Sequence, residues 1–170
     1  MIYISGGDQK KFMDIVGGTT IQETIVYAYH NGAVIAGTSA GAAVMSKLMI
    51  SGRQHKFPDD DRYSHIVPKN IEITDGLGLV KKVIVDQHFV KRERLNRLIA
   101  VSIENPDYLC AGIDESTALL ISGDSVTVCG VGQVILVDAS KAKLNPSNSL
   151  LGAKGLKIDV LLPGERFKLP

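Results

Sequence analysis

Ser39 stands at the centre of the stretch VIAGTSAGAAVMS, where the apolar run Val34, Ile35 and Ala36 reads as a buried strand and passes through Gly37-Thr38-Ser39-Ala40-Gly41 into small, helix-compatible residues. A strand that ends in G-x-S-x-G before a helix lifts a serine onto a sharp turn with its hydroxyl exposed and neighbouring backbone N–H groups free. Glycines flanking a serine also occur in ordinary tight turns, so the motif needs partners. A serine is a poor nucleophile until a base accepts its proton, and histidine, with a reference pKa of about 6.5, is the usual base. Of the four histidines, His30 falls near a helix end and His55 and His65 in a polar stretch; only His88 directly follows an apolar strand pattern, Val83 to Val85. Ligands in parallel α/β sheets gather beyond the carboxyl ends of strands, and Ser39 and His88 both fit that place.

A base needs an orienting carboxylate on its other nitrogen. Asp86, Asp114 and Glu115 are the candidates. Asp86 is too near His88 in sequence to reach behind its ring, so Glu115 is favoured, with Asp114 next. The order serine, histidine, acid departs from that of the α/β-hydrolases. Gly6-Gly7, after the run Ile2 to Ser5, offers backbone N–H groups that could join that of Ala40 in stabilising an oxyanion. Lys91, Arg92 and Arg94 crowd the start of a helix read from KRERLNRLIAVSIEN, where cations oppose the macrodipole. Either that end is a solvated face or it is a carboxylate-binding patch suited to arginine's planar fork. Arg94 and Arg97 lie on a similar side of the helix, with Arg92 across the apolar stripe.

The elements that must position these residues alternate at first. Strand 2–5 leads to a helix whose start is marked by the Thr20–Glu23 capping-box pattern and whose end is Asn31-Gly32; strand 34–36 leads to a helix from about Ala40 to Leu48. Residues 51–70, polar with two prolines and an acidic triplet, read as a long surface loop. After Asn105-Pro106 the pieces YLCAGID, TALLIS, SVTVCG, QVILVDA and IDVLLP read as strands. The fold class is therefore α/β, a largely parallel sheet flanked by helices, with a β-rich C-terminal part. With 170 residues, 45% hydrophobic and 22% charged, the chain has the size of one domain with a real core, 1–170. The net charge of +1 asks for neither nucleic acid nor an anionic membrane. Cys110 and Cys129 form no C-x-x-C or Cys/His cluster, so no metal site or disulfide scaffold is expected. No leader pattern and no apolar run of about 18 residues is present, which makes a cytoplasmic protein the expectation.

Together, GGDQ, GTSAGA, DQHF with its spaced arginines, and GIDE-x-TA resemble the cyanophycinase branch of the S51 serine peptidases, a family that also includes the aspartyl dipeptidases. The resemblance runs from Gly6 to Ala118. It implies a class I glutamine amidotransferase-like or flavodoxin-like fold, no cofactor or metal, and a homodimer. It also implies a hydrolase that cuts cyanophycin, a polyaspartate bearing arginine on each side chain, to β-aspartyl-arginine dipeptides through an acyl-enzyme. Its catalytic serine, histidine and glutamate fall on Ser39, His88 and Glu115; Ala40 with Gly7 are the oxyanion donors expected from the two turns themselves. Substrate-binding positions fall on Gln9, Asp86, Gln87, Arg92, Arg94 and Arg97. The partner is then a peptide polymer, or in the dipeptidase alternative a short aspartyl peptide; a non-catalytic remnant with a binding or assembly role is the third possibility. Family chains carry strand and helix units before the GGDQ strand that are absent here, so the strand at 2–5 is expected to present an unpaired apolar edge, a template for association.

Overall fold

The computed structural model describes residues 1–145 and 147–170. In chain order the elements are β1 (Ile2–Ile4), α1 (Gln9–Val16), α2 (Thr20–His30), β2 (Ile35–Gly37), α3 (Ala40–Ala43), β3 (Leu48–Gln54), β4 (Ile71–Asp75), β5 (Val83–Gln87), α4 (Leu95–Glu104), β6 (Leu109–Ile113), β7 (Thr117–Ser122), β8 (Ser125–Gly130), β9 (Val134–Asp138), β10 (Lys143–Leu144), β11 (Ala153–Lys154), β12 (Lys157–Leu161) and β13 (Arg166–Lys168).

The α/β class holds, with strands of both senses. Parallel pairing joins β1 to β2 and β5 to β6, whereas β9 lies antiparallel between β6 and β12. The largely parallel sheet is corrected here: the four-stranded sheet β12-β9-β6-β5 mixes both senses, β1-β2 is parallel and the other sheets are antiparallel, because the later strands are joined by turns too short for a crossover. Ser122 pairs with Ser125 across the two-residue turn Gly123-Asp124, and so tight a turn admits only antiparallel neighbours.

Burial follows the apolar pattern. β5 is buried from Val83 through Asp86, as a strand covered on both faces must be, and α4 lays Leu98 and Val101 against Ile84 and Val137. A second cluster joins Ile4, Met13, Val16 and Ile25 from β1, α1 and α2 to Val44 and Met49. A third packs β5, β6 and β9 against the β7–β8 hairpin through Val85, Ile113, Val134 and Val128. Cys110 in β6 belongs to the first cluster, and burial pushes its thiol up to about 12, while Cys129 is exposed. Iodoacetamide at about pH 8 is therefore expected to alkylate Cys129 in the folded chain and Cys110 only after unfolding, since the thiolate is the nucleophile. Peptide mapping that finds Cys110 labelled as fast as Cys129 would refute this packing.

Four local expectations are corrected. A separate helix, α1, precedes α2, started by Asp8, whose carboxylate accepts the Lys11 N–H at 3.0 Å. The cap of α2 is Thr19 rather than Thr20 and makes no side-chain capping bond; its hydroxyl is diverted to the Val16 carbonyl at 2.6 Å. The helix expected to reach Leu48 stops at Ala43, because the Val44 and Met45 carbonyls are taken by the N–H groups of Leu77 and Val80 at 2.7 and 2.9 Å. Finally, 51–70 is not all loop: β3 runs to Gln54, and the remainder folds back as a built structure with Tyr63, Val67 and Asn70 buried.

Candidate active site

Gly37 and Gly41 explain the turn that carries Ser39. A Cβ on Gly37 would run into the Gly41 carbonyl, and one on Gly41 would run into that of Ile4 at the end of β1. Both contacts let α3 start directly over the ends of β1 and β2. Ser39 itself is held at φ 52°, a left-handed conformation uncommon for a residue with a side chain. Strain of this kind, of order 1–3 kcal/mol, persists only where the surroundings enforce it.

His88 is also held at φ 52°, one residue beyond β5. Gln87 lies opposite Ile113 on the parallel neighbour β6, so His88 and the pair Asp114-Glu115 both emerge at the same end of the sheet. The result is a continuous relay. His88 Nε2 lies 2.9 Å from Ser39 Oγ, and His88 Nδ1 lies 2.9 Å from Glu115 Oε1. With the proton on Nδ1, the ring donates to the carboxylate and accepts the serine O–H.

The three candidate acids separate by direction. Asp114 is turned toward the next segment, where its Oδ1 accepts the Lys91 N–H at 3.1 Å. Asp86 is turned inward. The Glu115 side chain is 45% exposed, so water screens its pull on the imidazole, whose own side chain is 27% exposed. Glu115→Gln is therefore expected to lower turnover about a hundredfold less than loss of the serine, with Asp114→Asn close to wild type. Steady-state rates of both variants on one substrate check the assignment, and the reverse ranking would move the role to Asp114.

Ala40 occupies the first turn of α3, where its N–H has no intrahelical acceptor. Gly6 is the glycine packed on Ser39, since a Cβ there would sit 3.3 Å from Ser39 Cβ; Gly7 follows it, exposed at φ 146°.

The residues expected to bind substrate divide into two groups. Gln9, Asp86 and Arg97 lie in the interior, with partners inside the chain. Gln9 is buried and donates its amide to the Ile50 carbonyl at 3.0 Å, fastening α1 to β3. Asp86 and Arg97 are each about 1% exposed and form a two-pronged pair, with Arg97 Nε 2.6 Å from Asp86 Oδ2 and a second guanidinium nitrogen on Oδ1. Burial opposes the charge on Arg97, but the Asp86 carboxylate outweighs it and holds the guanidinium above its ordinary pKa. The Tyr63 hydroxyl accepts from Arg97 Nη1 at 2.5 Å, and the Tyr63 ring lies 4.5 Å from the guanidinium carbon.

Arg92 and Arg94 line a cleft between 52–63 and 91–94, and Gln87 immediately precedes His88. Arg94 Nη1 donates to the backbone oxygen and to Oε1 of Gln87, at 2.5 and 3.0 Å, bracing the residue before His88. Burial first, then the neighbouring Arg97, depresses the Arg94 pKa, and its buried Nε has no acceptor among the described residues. Arg92 is exposed, its N–H on the His88 carbonyl at 3.1 Å. The supposed conflict with the helix dipole disappears: α4 starts at Leu95, and Lys91 and Arg92 precede it in a turn.

Sequence reasoning missed Tyr63 and the charged residues around it. These line a cleft of about 720 Å³ between 52–63 and 91–94. The polar, proline-bearing texture of the stretch signals exposure and says nothing of what it faces. Among the described residues, no group of three or more His, Cys, Asp or Glu is placed to hold a metal, and no helix is long and apolar enough to cross a membrane.

Comparison with known proteins identifies the family of the chain. The chain is 35% identical over 177 residues to a cyanophycinase of Trichormus variabilis and 32% identical over 176 residues to one of Synechococcus elongatus, in each case over 99% of its own length. It spans 56% and 52% of those relatives, about half their length. A crystal structure of a peptidase from an acI-B1 Actinobacterium superposes with a TM-score of 0.64 at 28% identity, over 99% of this chain and 59% of that one. The profile of peptidase family S51 matches residues 1–129, a span that contains the serine turn, the histidine and the glutamate, and the chain belongs to that family.

Proposed function

We propose that the chain is a serine-type hydrolase of cyanophycin, releasing β-aspartyl-arginine dipeptides through an acyl-enzyme. The observation that carries this reading is the unbroken relay Ser39 Oγ, His88 Nε2, His88 Nδ1, Glu115 Oε1, with both links at 2.9 Å. Ser39 Oγ attacks the scissile carbonyl as His88 Nε2 takes its proton. The oxyanion rests on the Ala40 N–H with help from the Gly6-Gly7 turn. His88 then returns the proton to the leaving amine, and water, deprotonated by the same nitrogen, frees the acyl group. Arg94, with an orphaned Nε, and exposed Arg92 supply the carboxylate-binding side of the cleft.

Support for the polymer as substrate comes from the cyanophycinases matched over nearly all of this chain. Incubation of the purified chain with cyanophycin, with dipeptide read by mass spectrometry and Ser39→Ala as the control, tests it. Dipeptide from the wild type alone is the expected result; none from either, or as much from both, would refute it. Self-association belongs to the same proposal: β1 is bonded only to β2 among the described residues, and Tyr3 is 60% exposed along it. Sedimentation is expected to show a dimer, and a monomer at all concentrations would remove that part.

A further inference from the structure

The cleft of about 720 Å³ has the size of a small-molecule site and lies against the segment that follows His88. One wall is Lys91, Arg92 and Glu93; the other, from β3 and the loop after it, carries Arg53, Asp61 and Arg62. All six are exposed, and none belongs to an ion pair among the described residues. Charges of both signs thus face the cleft from both sides without neutralising each other.

The loop wall is fixed. The Asp60 carboxylate accepts the Arg62 and Ser64 N–H groups at 3.1 and 2.7 Å, and Tyr63 is anchored on buried Arg97. Asp61 sits between Asp60 and Arg62, so this turn holds its backbone from both sides. Arg94, which also lines the cleft, is held in place by its Nη1, which donates to the backbone oxygen and to Oε1 of Gln87.

We propose that the loop bearing Arg53, Asp61 and Arg62 is a second substrate wall, which holds the repeat flanking the cleaved one and selects repeats carrying both a carboxylate and a guanidinium. This inference rests on the reading of the chain as a hydrolase of such a polymer. A cleft of one sign would attract any polyanion or polycation. A cleft of mixed sign sets each single-signed chain against like charges and rewards one that alternates them, which yields selectivity more than raw affinity.

The test uses the Ser39→Ala chain, which binds without turnover, and two probes: the single β-aspartyl-arginine dipeptide and an oligomer of three such repeats. The oligomer is expected to bind more tightly than the dipeptide. Exposed pairs contribute about two- to fivefold each, so Asp61→Asn with Arg62→Gln is expected to weaken the oligomer roughly tenfold and leave the dipeptide unchanged. An unaltered oligomer affinity overturns the proposal, as does an equal loss for the dipeptide, which would place the wall on the cleaved residue, or equal binding of polyaspartate of the same length. The two readings fail separately. Wild-type hydrolysis with insensitive wall variants removes only the second wall, whereas no hydrolysis and no binding of either probe removes both.

Discussion

Ser39→Ala is expected to abolish dipeptide release, lowering turnover by at least about four orders of magnitude, while the fold and substrate affinity stay close to wild type. Only the attacking oxygen is lost. Alanine inherits the same φ of 52° under the same constraint from Gly37 and Gly41, so no new strain enters the turn. The buried neighbours Ala40 and Ala43 keep their packing. Loss of His88 is expected to be comparably severe, because Ser39 Oγ then has no base within reach. Steady-state rates with circular dichroism as the folding control decide the matter. A Ser39→Ala chain that keeps more than about a tenth of wild-type turnover would move the chemistry elsewhere.

Ser39 and His88 are legible in the sequence because their surroundings need particular residue types. The turn tolerates no side chain at Gly37 or Gly41, and a histidine straight after a buried strand can only emerge at the strand's end. Glu115 is legible for the same reason, through β6 lying parallel to β5. Asp86 is not, because its distance from His88 in sequence says nothing of direction: strand pleating turns it into the core. Arg97 is hidden with it. A charged residue in a helix pattern reads as a solvated or ligand-binding face, and here its burial depends on a carboxylate eleven positions earlier together with a tyrosine from another segment. The end of α3 is hidden likewise, since it depends on carbonyls claimed by Leu77 and Val80, which no local pattern announces.

The buried pair makes the largest expected difference to stability. Arg97→Met keeps much of the side chain's length but leaves the Asp86 carboxylate, about 1% exposed, with only the longer 3.7 Å ion pair to Arg94, and removing one member of such a buried pair costs about 3–5 kcal/mol. At roughly 2–4 °C per kcal/mol for a chain of this size, the midpoint of thermal unfolding is expected to fall by about 6–20 °C. Replacing both, as Asp86→Leu with Arg97→Met, removes two desolvation costs together and is expected to recover much of that loss. Alkali tests the pair from another side. Because the folded-state pKa of Arg97 is raised, its contribution is fully present below the unfolded value and is lost only as pH rises through the folded one, beyond the ordinary arginine range. Titration to about pH 10 therefore leaves this contribution intact. The site should feel the same substitution, since Asp86 Oδ1 also accepts the Gln87 N–H at 2.7 Å and Gln87 precedes His88. An Arg97→Met chain that melts within about 2 °C of wild type would show that the pair is not closed in solution.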